Sequence, residues 1–233
     1  MNELVFFGEL IFFLIAMLLT YKFFGKIGLY AFTVFAVLLS NVQVLMYINV
    51  FGVAATGGNA LYASNSLVTD ILSEKYGKKF AKTAVKLGFF VMVLWLSGTQ
   101  LTMLYKPNTF DFISPALREV LSLAPRITIA SLAAYLCAQL LDVQIYNYIW
   151  QKTGKTKKML WLRNNGSTLT TQLVDTLVFT TIAFYGTVDA PTFISMMLTT
   201  YLFKAIVTIS HTPFMYLSRK INPINELNGI EKA

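Results

Sequence analysis

Long apolar stretches separated by short polar connections dominate the chain. Most of them approach or exceed the length of about 20 residues that crosses the hydrocarbon core of a bilayer, so the pattern predicts an all-α polytopic bundle of transmembrane helices. We predict seven spans, although the third and sixth are the most polar and a count of six also fits. The predicted spans cover about residues 4–24, 27–50, 55–75, 80–105, 121–150, 166–187 and 191–217.

The composition agrees with a membrane protein. Of the 233 residues, 56% are hydrophobic and only 13% are charged, which excludes an ordinary soluble globular domain. The spans consume most of the length, so we interpret residues 1–233 as a single membrane domain. The first apolar stretch has no basic segment before it and no small-residue cleavage site after it, so we interpret it as a retained span rather than a signal peptide. Cys137 lies in an apolar run and is predicted to be a packing residue.

The basic residues mark alternate connections. Lysine and arginine follow the first, third, fifth and seventh predicted spans, whereas the intervening connections are neutral or nearly balanced. The formal net charge of +8 therefore reflects topology rather than nucleic-acid binding. By the positive-inside rule, the alternation predicts a plasma-membrane (inner-membrane) protein with its amino terminus outside and its carboxyl terminus in the cytoplasm.

Polar residues inside the predicted spans fall on single helix faces. An acid at bilayer depth costs at least a few kcal/mol unless it faces a cavity or a partner. Asp70 and Glu74 are four residues apart and so share one face of the third span, although Glu74 also fits a place at the interface, paired with Lys75 or Lys78. Later spans carry similar stripes: Ser131, Tyr135, Gln139, Asp142 and Tyr146; Thr168, Thr171, Gln172 and Asp175; and Lys204, Thr208 and His211.

Two basic residues have alternative interpretations. Lys204, well away from both ends of its span, is either the buried ion-pair partner of a carboxylate or a donor to a bound molecule. Arg126 falls on the side of its helix opposite the polar stripe, so it either serves a neighbouring helix or extends to the outer interface.

The stripes predict a binding cavity rather than a catalytic site. Carboxylates accept paired N–H groups, amides and a lysine donate to a carbonyl, and aromatic faces stack on a ring, so the interior suits a flat, polar small molecule. The sequence has no HExxH, no Gly-rich phosphate loop, no CxxC and no nucleophile with an evident histidine partner. We therefore predict no catalytic residue, no metal site and no cofactor.

Three polar blocks give the chain a family resemblance. They are NSLVTDILSEKYGKK (65–79), RITIASLAAYLCAQLLDVQIYNYI (126–149) and LRNNGSTLTTQLVDTLVF (162–179). Together they resemble the queuosine-precursor transporter family, integral membrane proteins once grouped as vitamin uptake transporters. The resemblance extends over about residues 50–217. It implies uptake of a 7-deazaguanine base, such as 7-cyano- or 7-aminomethyl-7-deazaguanine, or of queuine, for tRNA modification.

The resemblance and the polar stripes together define the candidate substrate-binding residues. A deazaguanine presents an N–H and an exocyclic amine side by side together with a carbonyl, which acids, amides and a lysine can recognise. The candidates are Asn65, Asp70, Glu74, Arg126, Ser131, Gln139, Asp142, Asn164, Ser167, Gln172, Asp175, Thr176 and Lys204.

Other functions compete with a self-sufficient carrier. The chain also fits the substrate-binding subunit of an energy-coupling-factor importer, which would need an ATPase partner because no ATP-binding motif is present in the sequence. A membrane enzyme acting on lipid is a third alternative. A homodimer is compatible with the sequence, and protons, sodium or an ATPase could each drive uptake.

Overall fold

The computed structural model of the chain describes residues 1–44, 46–122, 125–154 and 157–224. Within these ranges the protein is mainly helical, with one 3-10 turn, one short antiparallel hairpin and irregular connections such as residues 103–113. The elements are α1 (Asn2–Gln43), β1 (Tyr47–Val50), β2 (Val53–Thr56), α2 (Asn59–Lys75), α3 (Lys78–Thr102), α4 (Ser114–Leu121), α5 (Pro125–Thr153), a 3-10 turn (Lys157–Met159), α6 (Leu160–Phe184) and α7 (Ala190–Lys220).

Helix α1 folds back on itself at Gly25. This residue has φ 57° and ψ −137°, a conformation open almost only to glycine. The side chain of Gln43 donates to that of Glu9, 34 residues earlier, although a straight helix would place them about 51 Å apart at 1.5 Å per residue. Two limbs, residues 2–24 and 26–43, therefore lie antiparallel, which confirms the predicted break between the first two apolar stretches.

The short hairpin interrupts the helical pattern that the sequence predicts. Predicted spans 27–50 and 55–75 include β1 and the last two residues of β2 as helix ends, and that part of the prediction is wrong. Phe51 and Gly52 form the turn with φ of 52° and 75°, and positive φ at both central residues is the geometry of a tight two-residue hairpin. Because the strand residues are mostly apolar, the hydropathy stays high across the hairpin and does not indicate that the helices end there.

Among the described residues, four helices are long and apolar enough to span a membrane: α1, α3, the Ile129–Thr153 part of α5, and α7. The predicted spans 55–75 and 166–187 correspond to α2 and α6. At 17 residues α2 is too short to meet that criterion, and α6 is long enough at 25 residues but is too polar. Nearly all of α2 is buried among the other helices, and α6 buries its polar face while exposing Leu173 and Leu177. A total of seven spans therefore stays a prediction.

The exterior is largely apolar, and the interior holds a polar cluster beside its hydrophobic core. Phe12, Leu94 and Leu198 are 65%, 54% and 59% exposed, whereas acids, amides and hydroxyls are buried. Cys137 is exposed as well, so its prediction as a packing residue is wrong. This distribution is expected where lipid, rather than water, surrounds a helix bundle.

The basic connections meet at one end of the bundle. The backbone N–H of Ile224 donates to the carbonyl of Lys22 at 2.8 Å, and Lys75 Nζ donates to the carbonyl of Arg219 at 3.0 Å. Thus the turn within α1, the α2–α3 turn and the end of α7 are neighbours, as the predicted charge alternation requires. Arg163, which pairs with Glu74, also donates to the carbonyl of Gly154 at 2.8 Å, so the end of α5 lies there as well. The basic end, as we call it, comprises residues 22–26, 75–78, 152–154, 157–159 and 219–224.

Candidate functional site

The polar faces of α2, α5, α6 and α7 meet inside the bundle and form four layers along α2. From Tyr62 to Glu74 the layers extend over about 18 Å, at 1.5 Å per residue. Most of the sequence-predicted candidates lie in these layers. The lysine layer is farthest from the basic end, followed by the amide layer, the carboxylate layer and the arginine layer.

The lysine layer consists of Tyr62, Asp175 and Lys204. Lys204 Nζ forms an ion pair with an Asp175 oxygen, and the two side chains are only 6% and 4% exposed. Tyr62 donates its hydroxyl to the other carboxylate oxygen at 2.9 Å, and Lys204 Nζ lies 5.6 Å from the centroid of the Tyr62 ring. This is the ion-pair alternative for Lys204; its role toward a substrate stays a prediction.

The amide layer consists of Asn65, Ser66, Tyr135, Gln139 and Gln172. Ser66 Oγ accepts hydrogen bonds from Gln139 Nε2 at 3.3 Å and Gln172 Nε2 at 3.4 Å, and Asn65 Nδ2 donates to the Tyr135 hydroxyl at 3.4 Å. All three amide side chains thus use their N–H groups within the layer. Their three carbonyl oxygens are buried and have no hydrogen-bond partner among the described residues.

The carboxylate layer consists of Asp70, Asp142, Asn164, Thr168 and Thr171. Asn164 Nδ2 donates to Asp70 Oδ2, while Thr168 and Thr171 donate to Asp142 Oδ1 at 3.4 and 3.3 Å. Asp142 Oδ2 and Asn164 Oδ1 are buried without a partner in the described part of the chain. Each acid is 1% exposed, and in the described part neither forms an ion pair with a cation.

The arginine layer consists of Glu74, Tyr146, Arg163 and Arg219. Arg163 reaches both carboxylate oxygens of Glu74, at 3.0 and 3.2 Å, and Arg219 lies 3.3 Å from Oε1. Tyr146 donates its hydroxyl to Oε2 at 2.8 Å. This network fastens the ends of α2, α5, α6 and α7 together beside the basic end.

Glu74 has different partners in the structure from those that the sequence suggested. Instead of Lys75 or Lys78, it binds arginines from α6 and α7, which the chain order places far away. Lys75 uses its ammonium on the carbonyls of Arg219 and Ile221, at 3.0 and 3.3 Å. A sequence-local lysine was the wrong choice because helix packing brings the planar, bidentate guanidinium group to the same carboxylate.

The remaining candidates take less direct positions. Ser167 and Thr176 are buried, and their hydroxyls donate to the carbonyls of Asn164 and Gln172 on their own helix, at 3.2 and 2.8 Å. Ser131 is half-buried on α5. The Arg126 side chain lies outside the described part, so its predicted role stays a prediction.

Eight residues of the layers were not among the candidates. Four of them lie on the predicted polar stripes, namely Tyr135, Tyr146, Thr168 and Thr171, and the other four are Tyr62, Ser66, Arg163 and Arg219. Tyr62 lies one turn before Ser66 on the same face, so extending the α2 stripe by one turn would have found it. The basic residue Arg219 gave no such signal, because its place after the last span is equally typical of a topological charge.

The four layers are closed in this conformation. Their side chains are largely withdrawn from the surface. A surface cavity of about 300 Å³ lies elsewhere, between the end of α3 and α4, with Thr102, Tyr105 and Arg118 in its wall. A molecule could reach the layers only if the helices around them move, as in carriers whose binding sites lie near the bilayer midplane.

Comparisons with known proteins place the layers in context. A family described as "Putative vitamin uptake transporter" matches residues 56–218, which include every residue of the layers except Arg219. The chain is 38% identical over 212 residues to a Bacillus subtilis (strain 168) protein named "Probable queuosine precursor transporter", covering 91% of this chain and 92% of that one. It is 27% identical over 205 residues to the "Queuosine precursor transporter" of Escherichia coli (strain K12), covering 83% and 88%. No solved structure matches the chain.

Proposed function

Because the chain belongs to the queuosine precursor transporter family, we propose that it imports a 7-deazaguanine base into the cytoplasm for tRNA modification. The observation that carries this proposal is the amide layer. Its three buried carbonyl oxygens have no donor among the described residues, so the layer suits a ligand rich in N–H groups.

A 7-deazaguanine has the donors that this layer needs. Its ring N–H groups and exocyclic amine can meet the oxygens of Asn65, Gln139 and Gln172. A buried acceptor without a partner costs about 1–3 kcal/mol, and a ligand that supplies the donor removes this cost. The rings of Tyr62 and Tyr135, edge to face with centroids 6.3 Å apart, stand beside the amides and can contact a flat base.

The outer two layers provide the closures that a carrier needs. The lysine layer closes the interior on one side and the arginine layer closes it beside the basic end. Separation of α7 from α2 and α6 at one layer while the other stays intact would expose the amide layer to one side at a time, which is alternating access. If the basic end faces the cytoplasm, as the positive-inside rule predicts, opening of the arginine layer releases the base inward.

Ligand binding tests the proposed substrate directly. Purified protein is titrated with 7-cyano- and 7-aminomethyl-7-deazaguanine, queuine, guanine and adenine. We expect saturable binding of at least one deazaguanine and much weaker binding of adenine, whose edge presents a different order of donors and acceptors. Binding of none of the deazaguanines contradicts the proposal.

Uptake by cells tests the acids on the stripes. Asp70→Asn, Asp142→Asn and Asp175→Asn should each lower uptake at least about tenfold, which is the roughly 1.4 kcal/mol of one charge-assisted contact. Initial uptake rates are compared at equal membrane abundance. Near-normal uptake by all three variants would assign the acids to packing alone.

Cysteine labelling tests the direction of insertion. In a Cys137→Ala background, an impermeant thiol reagent added from outside should modify a cysteine at Asn108 but not one at Lys158, because the second lies at the basic end. Both residues are exposed, so accessibility does not bias the comparison. The reverse pattern would overturn the orientation.

A further inference from the structure

Asp70 and Asp142 are two buried acids in one layer that lacks a cation. Asn164 donates a hydrogen bond to Asp70, and Thr168 donates one to Asp142. Both acids therefore contact the same turn of α6. Two desolvated carboxylates at this proximity cannot both be charged without a large free-energy cost.

The nearby cations are committed to other acids. Arg163 and Arg219 pair with Glu74, and Lys204 pairs with Asp175. The titratable groups in the neighbouring layers are Tyr62, Glu74, Tyr135, Tyr146, Arg163, Asp175, Lys204 and Arg219, and Tyr21 of α1 and His211 of α7 are also buried in the bundle. In the described part of the chain, none of these cations forms an ion pair with Asp70 or Asp142.

Two buried acceptor atoms of the carboxylate layer show that the layer needs a hydrogen-bond donor. Asp142 Oδ2 and Asn164 Oδ1 are acceptors, belong to side chains that are each 1% exposed, and have no donor among the described residues. A carboxyl proton supplies an O–H donor to either of them and removes one of the two negative charges. One proton thus reduces the repulsion between the two carboxylates and also supplies a hydrogen-bond donor to the layer.

We propose that Asp70 and Asp142 together bind one proton in the closed protein, and that this is the proton coupled to uptake. The coupling role rests on the proposed transport function; the proton site does not. An O–H bond forms on one carboxyl when a proton enters from water on the open side, and it breaks when water on the other side takes the proton. The net charge of the pair alternates between −1 and −2, and no other bond changes.

Unfolding of the purified protein without substrate tests the proton site. Above about pH 5 unfolded aspartates have lost their protons, whereas the native pair is expected to keep one. Stability should therefore fall as the pH rises, by up to about tenfold in the unfolding constant per pH unit. The melting temperature is measured from about pH 5 upward for the wild type, Asp70→Asn, Asp142→Asn and the exposed control Glu119→Gln.

We expect the wild type and Glu119→Gln to lose stability in parallel as the pH rises and either aspartate variant to have a flatter profile. If one aspartate variant does not fold, the other gives the same comparison. A wild-type profile without a downward slope, or a slope that survives in a folded Asp142→Asn variant, would overturn the proton site. A sodium-specific increase in the melting temperature, seen against potassium and lost in Asp142→Asn, would overturn it in favour of a sodium site.

Uptake into proteoliposomes tests the coupling. With the membrane potential clamped, a more acidic exterior should raise accumulation of 7-cyano-7-deazaguanine by wild-type protein and leave Asp142→Asn unaffected. Accumulation by wild type that ignores the gradient overturns the coupling role. The unfolding measurement uses no substrate, so an incorrect substrate assignment cannot be mistaken for failure of the proton site.

Discussion

The arginine layer and the amide layer differ in how far their buried polar atoms are paired. In the first, Glu74 is surrounded by two guanidinium groups and a tyrosine hydroxyl. In the second, three amides donate to Ser66 and Tyr135 and leave their oxygens without a donor in the described part of the chain. Both layers are buried in the same four-helix interior. We propose that the difference separates side chains that hold the bundle together from side chains that bind the substrate.

The distinction has an energetic basis. Removing one partner of a buried ion pair strands the other and costs about 3–5 kcal/mol. Removing an acceptor that has no partner strands nothing, and it can even relieve a desolvation cost. Substitutions in the arginine layer should therefore lower stability, and those at the amide oxygens should lower affinity.

The largest effect is expected for Glu74→Gln. It leaves Arg163 and Arg219 without their shared negative charge, so the protein should lose about 3 kcal/mol or more of stability. Thermal unfolding in detergent without ligand measures this loss against Glu119→Gln, an exposed acid on α4. If Glu74→Gln melts like the control, the arginine layer does not hold the bundle together.

Lys204→Met comes next and distinguishes the two roles of this lysine. If the ion pair with Asp175 is structural, the variant should lose about 3 kcal/mol even without ligand, because the acid is left uncompensated. Adding Asp175→Asn should restore much of the loss. A single variant that melts like wild type but is no longer stabilised by a deazaguanine would instead assign Lys204 to substrate binding, since stabilisation by a ligand follows its affinity.

Gln139→Met should change affinity without changing stability. It removes one unpartnered oxygen and one weak hydrogen bond to Ser66, so binding of a deazaguanine should weaken about tenfold, or roughly 1.4 kcal/mol. Gln144→Met is the matched control, because Gln144 lies on the exposed face of the same helix. Calorimetric titration of both variants measures the difference; equal affinities would remove Gln139 from the binding site.

The smallest effect is expected for Tyr146→Phe. The change deletes the 2.8 Å hydrogen bond to Glu74 but keeps both arginines, so stability should fall by about 1 kcal/mol while affinity stays the same. Chemical or thermal unfolding detects the loss, and a titration with ligand checks the affinity. A loss as large as that of Glu74→Gln would show that the hydroxyl, not the ion pairs, dominates the layer.

Much of the fold could be predicted from hydropathy, because lipid imposes long apolar helices. The break at Gly25 and the gathering of basic turns at one end follow from apolar length and charge. The hairpin at Phe51 and Gly52 could not be predicted, since its strands are as apolar as the helix ends beside them. It depends on local backbone geometry that hydropathy does not measure.

The sequence predicts which helix faces are polar, but it does not predict which side chains on different helices pair with each other. Helical spacing places Asp70 and Glu74 on one face. It cannot predict that Asp70 accepts a hydrogen bond from an amide whereas Glu74 pairs with two arginines. That division depends on how α6 and α7 are aligned against α2. Sequence spacing within one helix carries no information about this alignment.

One titration tests the central claim that the amide layer recognises the donor edge of the base. Purified wild-type protein is titrated with 7-cyano-7-deazaguanine and with the analogue lacking only the exocyclic 2-amino group. A lost donor to a buried acceptor should weaken binding about tenfold or more, and the ratio of the two affinities should shrink in Gln139→Met or Gln172→Met. Equal affinity of wild type for both molecules would contradict the claim that these oxygens read the base.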